Sequence, residues 1–136
     1  MVDNLVQWQA KYSLNIKEID EQHKIFINLI NEVYGTIIKV KQTYLIDQVI
    51  SKLVDYAALH FMTEEKYFID FNYSESISHI KEHKYFLGKI DQFQKDFNIN
   101  NLLSFQVLYF MKDWLIKHIL ISDKKYIDCF KKGGLC

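Results

Sequence analysis

Every histidine of this chain stands where it could share a metal ion with another polar side chain. His60 is followed four residues later by Glu64, His79 four later by His83, and His118 five later by Asp123, while His23 stands on an earlier segment. Imidazole suits iron, copper, zinc or nickel, and a carboxylate beside it supplies an oxygen donor or a bridge to a second metal. Seven such groups are too many for one ordinary site. They are the number expected of two metals that share bridging carboxylates.

Helices must position them. Proline is absent and two of the four glycines form the Gly133-Gly134 pair near the end, so little interrupts helical periodicity. Ile16, Ile19, Phe26, Ile30, Val33 and Ile37 fall on one helical stripe that also holds His23. A second stripe joins Ile46, Val49, Leu53, Ala57, His60, Glu64 and Phe68; a third joins His79, His83, Phe86 and Ile90; a fourth joins Val107, Met111, Trp114 and His118 and runs on to Tyr126 and Phe130. The spacing predicts helices over about 16–39, 45–71, 75–97 and 101–131. Short polar joints near 40–44, 72–74 and 98–101 allow these to close as an all-α, up-down-up-down four-helix bundle. Residues 1 to about 15 form an arm whose Trp8, Tyr12 and Leu14 are too apolar for a free tail, so it is expected to pack across the bundle. The whole chain, 1–136, reads as a single domain large enough to bury a core without staples.

Spacing also says which side chains can meet. Residues four apart differ by only about 40° around a helix, so His60 with Glu64, and His79 with His83, can reach one point. The five-residue step from His118 to Asp123 would turn them about 140° apart, and a π-type bulge near 120–122 is expected to bring both inward. A lone histidine on an apolar face, such as His23, is more often an ordinary core residue than a ligand. Glu64 and Asp123 weigh the other way. A buried carboxylate is costly unless paired or bound to metal, and no lysine falls on the same stripes to pair with either.

Composition removes other classes of function. All 17 basic residues are lysine and they balance 17 acidic residues, so the chain has neither the basic excess nor the arginines of a nucleic-acid binder. No apolar stretch approaches a membrane span, and the opening residues lack the basic start and apolar run of a secretory signal, which leads us to expect a cytoplasmic protein. Cys129 and Cys136 have no CxxC spacing and read as reduced thiols.

The Ile19-Asp20-Glu21-Gln22-His23 run, His60-Phe61 with Glu64-Glu65, His79 with His83, and Trp114 followed by His118-Ile119 and Asp123 together resemble the hemerythrins, in particular their single-domain bacterial members. The resemblance covers essentially the whole chain. It implies two iron ions with a bridging oxo or hydroxo group. His79, His83 and His118 would bind one iron, His23 and His60 the other, and Glu64 and Asp123 would bridge both. It also implies reversible dioxygen binding at the iron held by two histidines. Phe26, Phe61, Trp114, Leu115 and Ile119, beside the ligands along the helices, would wall the dioxygen pocket.

The ligand types lead in the same direction. Oxygen-activating di-iron enzymes in four-helix bundles present four carboxylates and two histidines, whereas here five imidazoles accompany two carboxylates. Fewer anionic donors stabilise high-valent iron less, which favours carriage, storage or scavenging of dioxygen over enzymatic O–O cleavage. The alternatives are a di-iron enzyme of peroxidase-like, nitrite-reducing or iron-oxidising type, and an oxygen or redox sensor. Because the chain stops soon after its fourth helix, without a fused signalling module, a free-standing monomer or weak homo-oligomer is expected.

Overall fold

A computed structural model describes residues 4–39, 43–95 and 102–136. Four long helices carry the fold: α1 (Lys17–Lys39), α2 (Thr43–Asp70), α3 (Ser76–Lys95) and α4 (Leu102–Ile121), followed by a short α5 (Ile127–Lys132). Helix α1 packs on α2 and α4, α2 on α3, and α3 on α4, so the four close in a ring as an all-α four-helix bundle. Of the joint expected near 40–44, residues 43 and 44 already belong to α2 and 40–42 lie outside the described residues, as does the joint at 98–101. Among the described residues no helix is long and apolar enough to cross a membrane.

The joint between α2 and α3 is built from its own sequence. Asn72 takes the left-handed conformation (φ 53°) that asparagine tolerates better than most residues. The Tyr73 N–H then donates to the Phe68 carbonyl at 2.9 Å and the Asn72 N–H to the Ile69 carbonyl at 3.3 Å. This is a Schellman closure, and the rings of Tyr73 and Phe68 complete it with an apolar contact at 5.2 Å. Gly134 (φ 106°) closes α5 in the same way, with the Leu135 N–H on the Phe130 carbonyl.

The arm packs as its composition predicts. Val6, Tyr12 and Leu14 are buried, and the Val6 backbone exchanges two hydrogen bonds with the Asn31 side chain, at 2.9 and 2.8 Å. The Asp20 carboxylate, in the first turn of α1, accepts from Ser13 Oγ and the Leu14 N–H and fixes where the arm enters the helix.

One expectation is corrected. The fourth helix does not run on to 131, and no π bulge widens it: α4 ends at Ile121 and the chain tightens into a 3-10 turn over Asp123–Tyr126. Ser122 still donates to the His118 carbonyl at 2.9 Å, but the Lys125 N–H reaches back only three residues, to Ser122. A separation of about 140° holds only along one continuous helical axis. Once the regular phase stops, Asp123 no longer belongs to the α4 stripe and the turn itself delivers it inward.

Two apolar clusters form the core. The larger includes Phe26, Ile30, Leu53, Ala57, Phe61, Phe86, Ile90, Met111, Leu115 and Ile119; the smaller includes Leu14, Ile16, Ile19, Phe68, Tyr73, Tyr126 and Phe130. Along the chain the polar candidates stand between a residue of one cluster and a residue of the other: His23 between Ile19 and Phe26, His60 and Glu64 between Ala57 and Phe68, His79 and His83 between Tyr73 and Phe86, and His118 and Asp123 between Leu115 and Tyr126. A polar band therefore crosses the bundle with oil on both sides.

Gly88 is an exposed residue within α3, and a methyl group added there would meet nothing within 4 Å. Replacing Gly88 with Ala should raise unfolding stability by about 1 kcal/mol, because it removes backbone freedom from the unfolded chain without a clash. Gly134→Ala, at a positive φ, should lower it by a similar amount. Urea unfolding midpoints of the two variants check both signs.

Candidate metal centre

All seven side chains singled out in the sequence meet in the polar band, each less than 5% exposed. His23 comes from α1, His60 and Glu64 from α2, His79 and His83 from α3, His118 from α4, and Asp123 from the 3-10 turn. They fall into two groups whose donor atoms lie within 4.8 Å of one another: Glu64, His79, His83 and His118 in one, and His23, His60, Glu64 and Asp123 in the other. Glu64 belongs to both. Asp123 spans them too, with one oxygen 3.1 Å from His23 Nε2 and the other 3.1 Å from the Nε2 atoms of His79 and His118.

The short contacts are those of donors around a cation. The Nε2 atoms of His23 and His60 lie 3.1 Å apart, those of His79 and His118 3.0 Å, and those of His83 and His118 3.2 Å. Glu64 Oε1 is 3.3 Å from His60 Nε2 and 3.2 Å from His83 Nε2. Yet all four carboxylate oxygens of Glu64 and Asp123 are buried without a properly directed hydrogen bond. Proximity without hydrogen-bond geometry means that these atoms aim at a common point rather than at each other. First-row metals hold nitrogen and oxygen donors at about 2.0–2.2 Å, so adjacent donors at right angles stand about 3 Å apart, which matches this cluster.

The outer ring nitrogens settle which nitrogen faces inward. His60 Nδ1–H donates to Gln22 Oε1 at 2.6 Å, His83 Nδ1–H to Glu65 Oε2 at 2.9 Å, and His118 Nδ1–H to Glu82 Oε2 at 3.1 Å. In the neutral ring a proton on Nδ1 leaves the Nε2 lone pair free. Lone pairs converging at about 3 Å repel unless positive charge lies between them, so the residues fit a pair of cations.

Comparison with known proteins agrees with this donor set. The family model described as the hemerythrin HHE cation binding domain matches residues 14–130. The chain belongs to the hemerythrin family. It is 28% identical over 130 residues to a bacteriohemerythrin of Clostridium acetobutylicum, covering 89% of this chain and 98% of that one. It is 30% identical over 124 residues to a bacteriohemerythrin of Pseudomonas aeruginosa, covering 91% and 80%. A crystal structure of wild-type hemerythrin superposes with a TM-score of 0.82 at 28% identity, over 92% of this chain and 97% of that one.

Within this hemerythrin fold, burial and charge set the protonation of the donors. Burial holds His60 neutral down to about 4. Burial, with His118 nearby, does the same for His83. Burial and the neighbouring Asp123 carboxylate push Glu64 upward. His118 goes the other way: burial opposes its charge, but Asp123 and Glu82 outweigh it and raise the ring to about 10. Burial would raise Asp123, but the charge of His118 and the close approach of the His118, His23 and His79 rings outweigh it and hold that acid well below the usual carboxylate range. Positive charge is what the two acids demand, and without a metal that demand falls on His118. Glu82 is drawn down to about 2 by its hydrogen bond with His118, against partial burial and with help from Ser122.

Aromatic rings hold the imidazoles in place. Phe61 stacks on His83 at 4.0 Å, Trp114 on His118 at 4.4 Å, and Phe26 meets His60 edge-on at 6.3 Å. Phe26, Phe61, Leu115 and Ile119 are all but sealed from solvent, whereas Trp114 is half-buried. On the other side Phe68 lies 4.7 Å from His79, and the buried Tyr126 hydroxyl has no hydrogen-bond partner of good geometry. Burial, followed by the charges of Asp123 and Glu64, raises that phenol well above its ordinary range. Sequence reasoning assigned no role to Gln22, Glu65 or Glu82. The signal was there: each adjoins a ligand candidate in sequence, about 100° round the helix, where a side chain can reach a neighbouring helix.

Glu64→Gln separates stability from metal binding. In metal-free protein it removes a buried, unsatisfied acid beside another, and should raise stability by about 1–3 kcal/mol. Metal-loaded protein should change in the opposite direction. Thermal unfolding with and without a chelator checks both; a lower midpoint for the metal-free variant would mean that Glu64 is not a destabilising buried acid.

Proposed function

We propose that this chain binds dioxygen reversibly at a pair of irons, as a carrier, store or scavenger, and that residues 1–136 act as one hemerythrin-like domain. The observation that carries the reading is the unequal division of donors. Both groups draw on Glu64 and Asp123, but one adds three imidazoles and the other only two.

In this reading His79, His83 and His118 would hold one iron and His23 and His60 the other, with Glu64 and Asp123 shared between the two along with a solvent-derived oxo or hydroxo group. When bound, such a pair would supply the electrons for reversible binding of dioxygen. The side with two histidines has one protein donor fewer, which leaves room for a ligand. Phe26, Phe61, Trp114, Leu115 and Ile119 wall that room. None of the five has an acidic group, so the pocket excludes water and offers no proton that would promote loss of peroxide. The five imidazoles also favour iron over manganese, which prefers oxygen donors. The names of the bacteriohemerythrin relatives support the same conclusion.

Metal analysis and stopped-flow absorption test the reading. The purified protein should hold two irons per chain. Its reduced form should give a coloured adduct with dioxygen that bleaches on deoxygenation. Rapid decay to the oxidised state with release of peroxide would point to an enzyme, and would overturn the carrier reading. His83→Ala should lose one iron while keeping its helical circular dichroism; retention of both irons would refute the three-histidine assignment.

A further inference from the structure

The outer hydrogen bonds of the imidazoles differ between the two halves of the centre. On the three-histidine side, His83 and His118 each donate to a carboxylate, Glu65 at 2.9 Å and Glu82 at 3.1 Å. On the two-histidine side, His60 donates to the neutral amide of Gln22 at 2.6 Å, and Nδ1 of His23 is buried without a partner. Gln22 is itself fixed, because its Nε2 donates to Thr63 Oγ1 at 3.3 Å, so its oxygen is the atom left facing His60.

A carboxylate on the outer N–H draws that proton toward itself and leaves the ring closer to an imidazolate, a stronger donor to whatever cation the inner nitrogen holds. Its negative charge also favours the more positive of two metal oxidation states. A neutral amide does the first weakly and the second hardly at all. We propose that Glu65 and Glu82 are positioning residues that make the two metals electronically unequal. They stabilise the oxidised state of the three-histidine metal, while Gln22 keeps the two-histidine metal less readily oxidised. The pair therefore gives up its first electron from the three-histidine side, the side remote from the vacant position. The inference rests on the proposed iron pair and adds to it an order of oxidation.

Both acids are partly exposed, with side chains 33% accessible for Glu65 and 46% for Glu82, so solvent screens part of their charge. We expect each to change the one-electron equilibrium about tenfold, or about 60 mV.

Spectroelectrochemical titration of the iron-loaded protein against soluble one-electron mediators tests this, with iron content measured first on every variant. Glu65→Gln and Glu82→Gln preserve shape and hydrogen bonding but remove charge. Each should raise the first potential by about that amount, and Glu82→Asp should restore most of it. Gln22→Glu adds charge on the opposite side and should lower the second potential while leaving the first nearly unchanged. Wild-type protein without two irons would defeat the functional proposal rather than this one. Two irons with potentials unmoved in the Gln variants, or a Gln22→Glu variant that lowers the first potential rather than the second, would overturn the inference. If a Gln variant loses iron, the Gln22→Glu result alone decides it, since that substitution adds a charge and removes no contact to the three-histidine side.

Discussion

Two carboxylates sealed inside an apolar bundle are the constraint from which the rest of the structure follows. Leaving an acid in the interior without a partner costs several kcal/mol, and Glu64 and Asp123 stand together with no lysine beside them and no directed hydrogen bond. Only cations can make such a pair stable. The five imidazoles converge on the same place, so in the proposed reading positive charge would enter there as metal. The cluster therefore pays for its ligand affinity with metal-free stability.

The bundle is arranged to hold that band rather than only to bury oil. Both apolar clusters touch it, one on each side, and aromatic rings press on the imidazoles: Phe61 stacks on His83 and Trp114 on His118, while Phe68 leans on His79 at 59°. A histidine fixed by a hydrogen bond at one nitrogen and a ring against its face has little rotational freedom left. Preorganisation of this kind keeps the donors about 3 Å apart in spite of their mutual repulsion. The Schellman closure after α2 contributes as well, because it packs Tyr73 on Phe68, the ring that meets His79, and sets where α3 begins.

The stripes of α1 to α4 and the inward direction of His23, His60, Glu64, His79, His83 and His118 were legible in the sequence because they depend only on helical period and on the absence of breakers. Asp123 was legible as a residue but not as a geometry. Neither proline nor glycine marks the end of α4, and the 3-10 turn that delivers Asp123 arises where the chain leaves the bundle ring, which local propensity does not encode. Gln22, Glu65 and Glu82 were harder still. Whether a side chain beside a ligand reaches a neighbouring imidazole depends on how adjacent helices are rotated against each other, and that is a property of packing.

These outer contacts also bear on how one fold can serve more than one chemistry. The inner donors of this chain are nearly symmetric in kind, imidazole and carboxylate on both sides, so they would separate two metal positions only by number. The outer residues separate them by charge. They lie on exposed or half-exposed helix faces, where substitution disturbs little packing, while the ligands themselves are locked between two apolar clusters and cannot change without exposing a void or an unpaired acid. The bundle can therefore keep its centre and still be retuned from outside it, one hydrogen bond at a time. Residues beside the ligands in sequence, rather than the ligands, are then the place where a carrier and an enzyme built on the same seven side chains would differ.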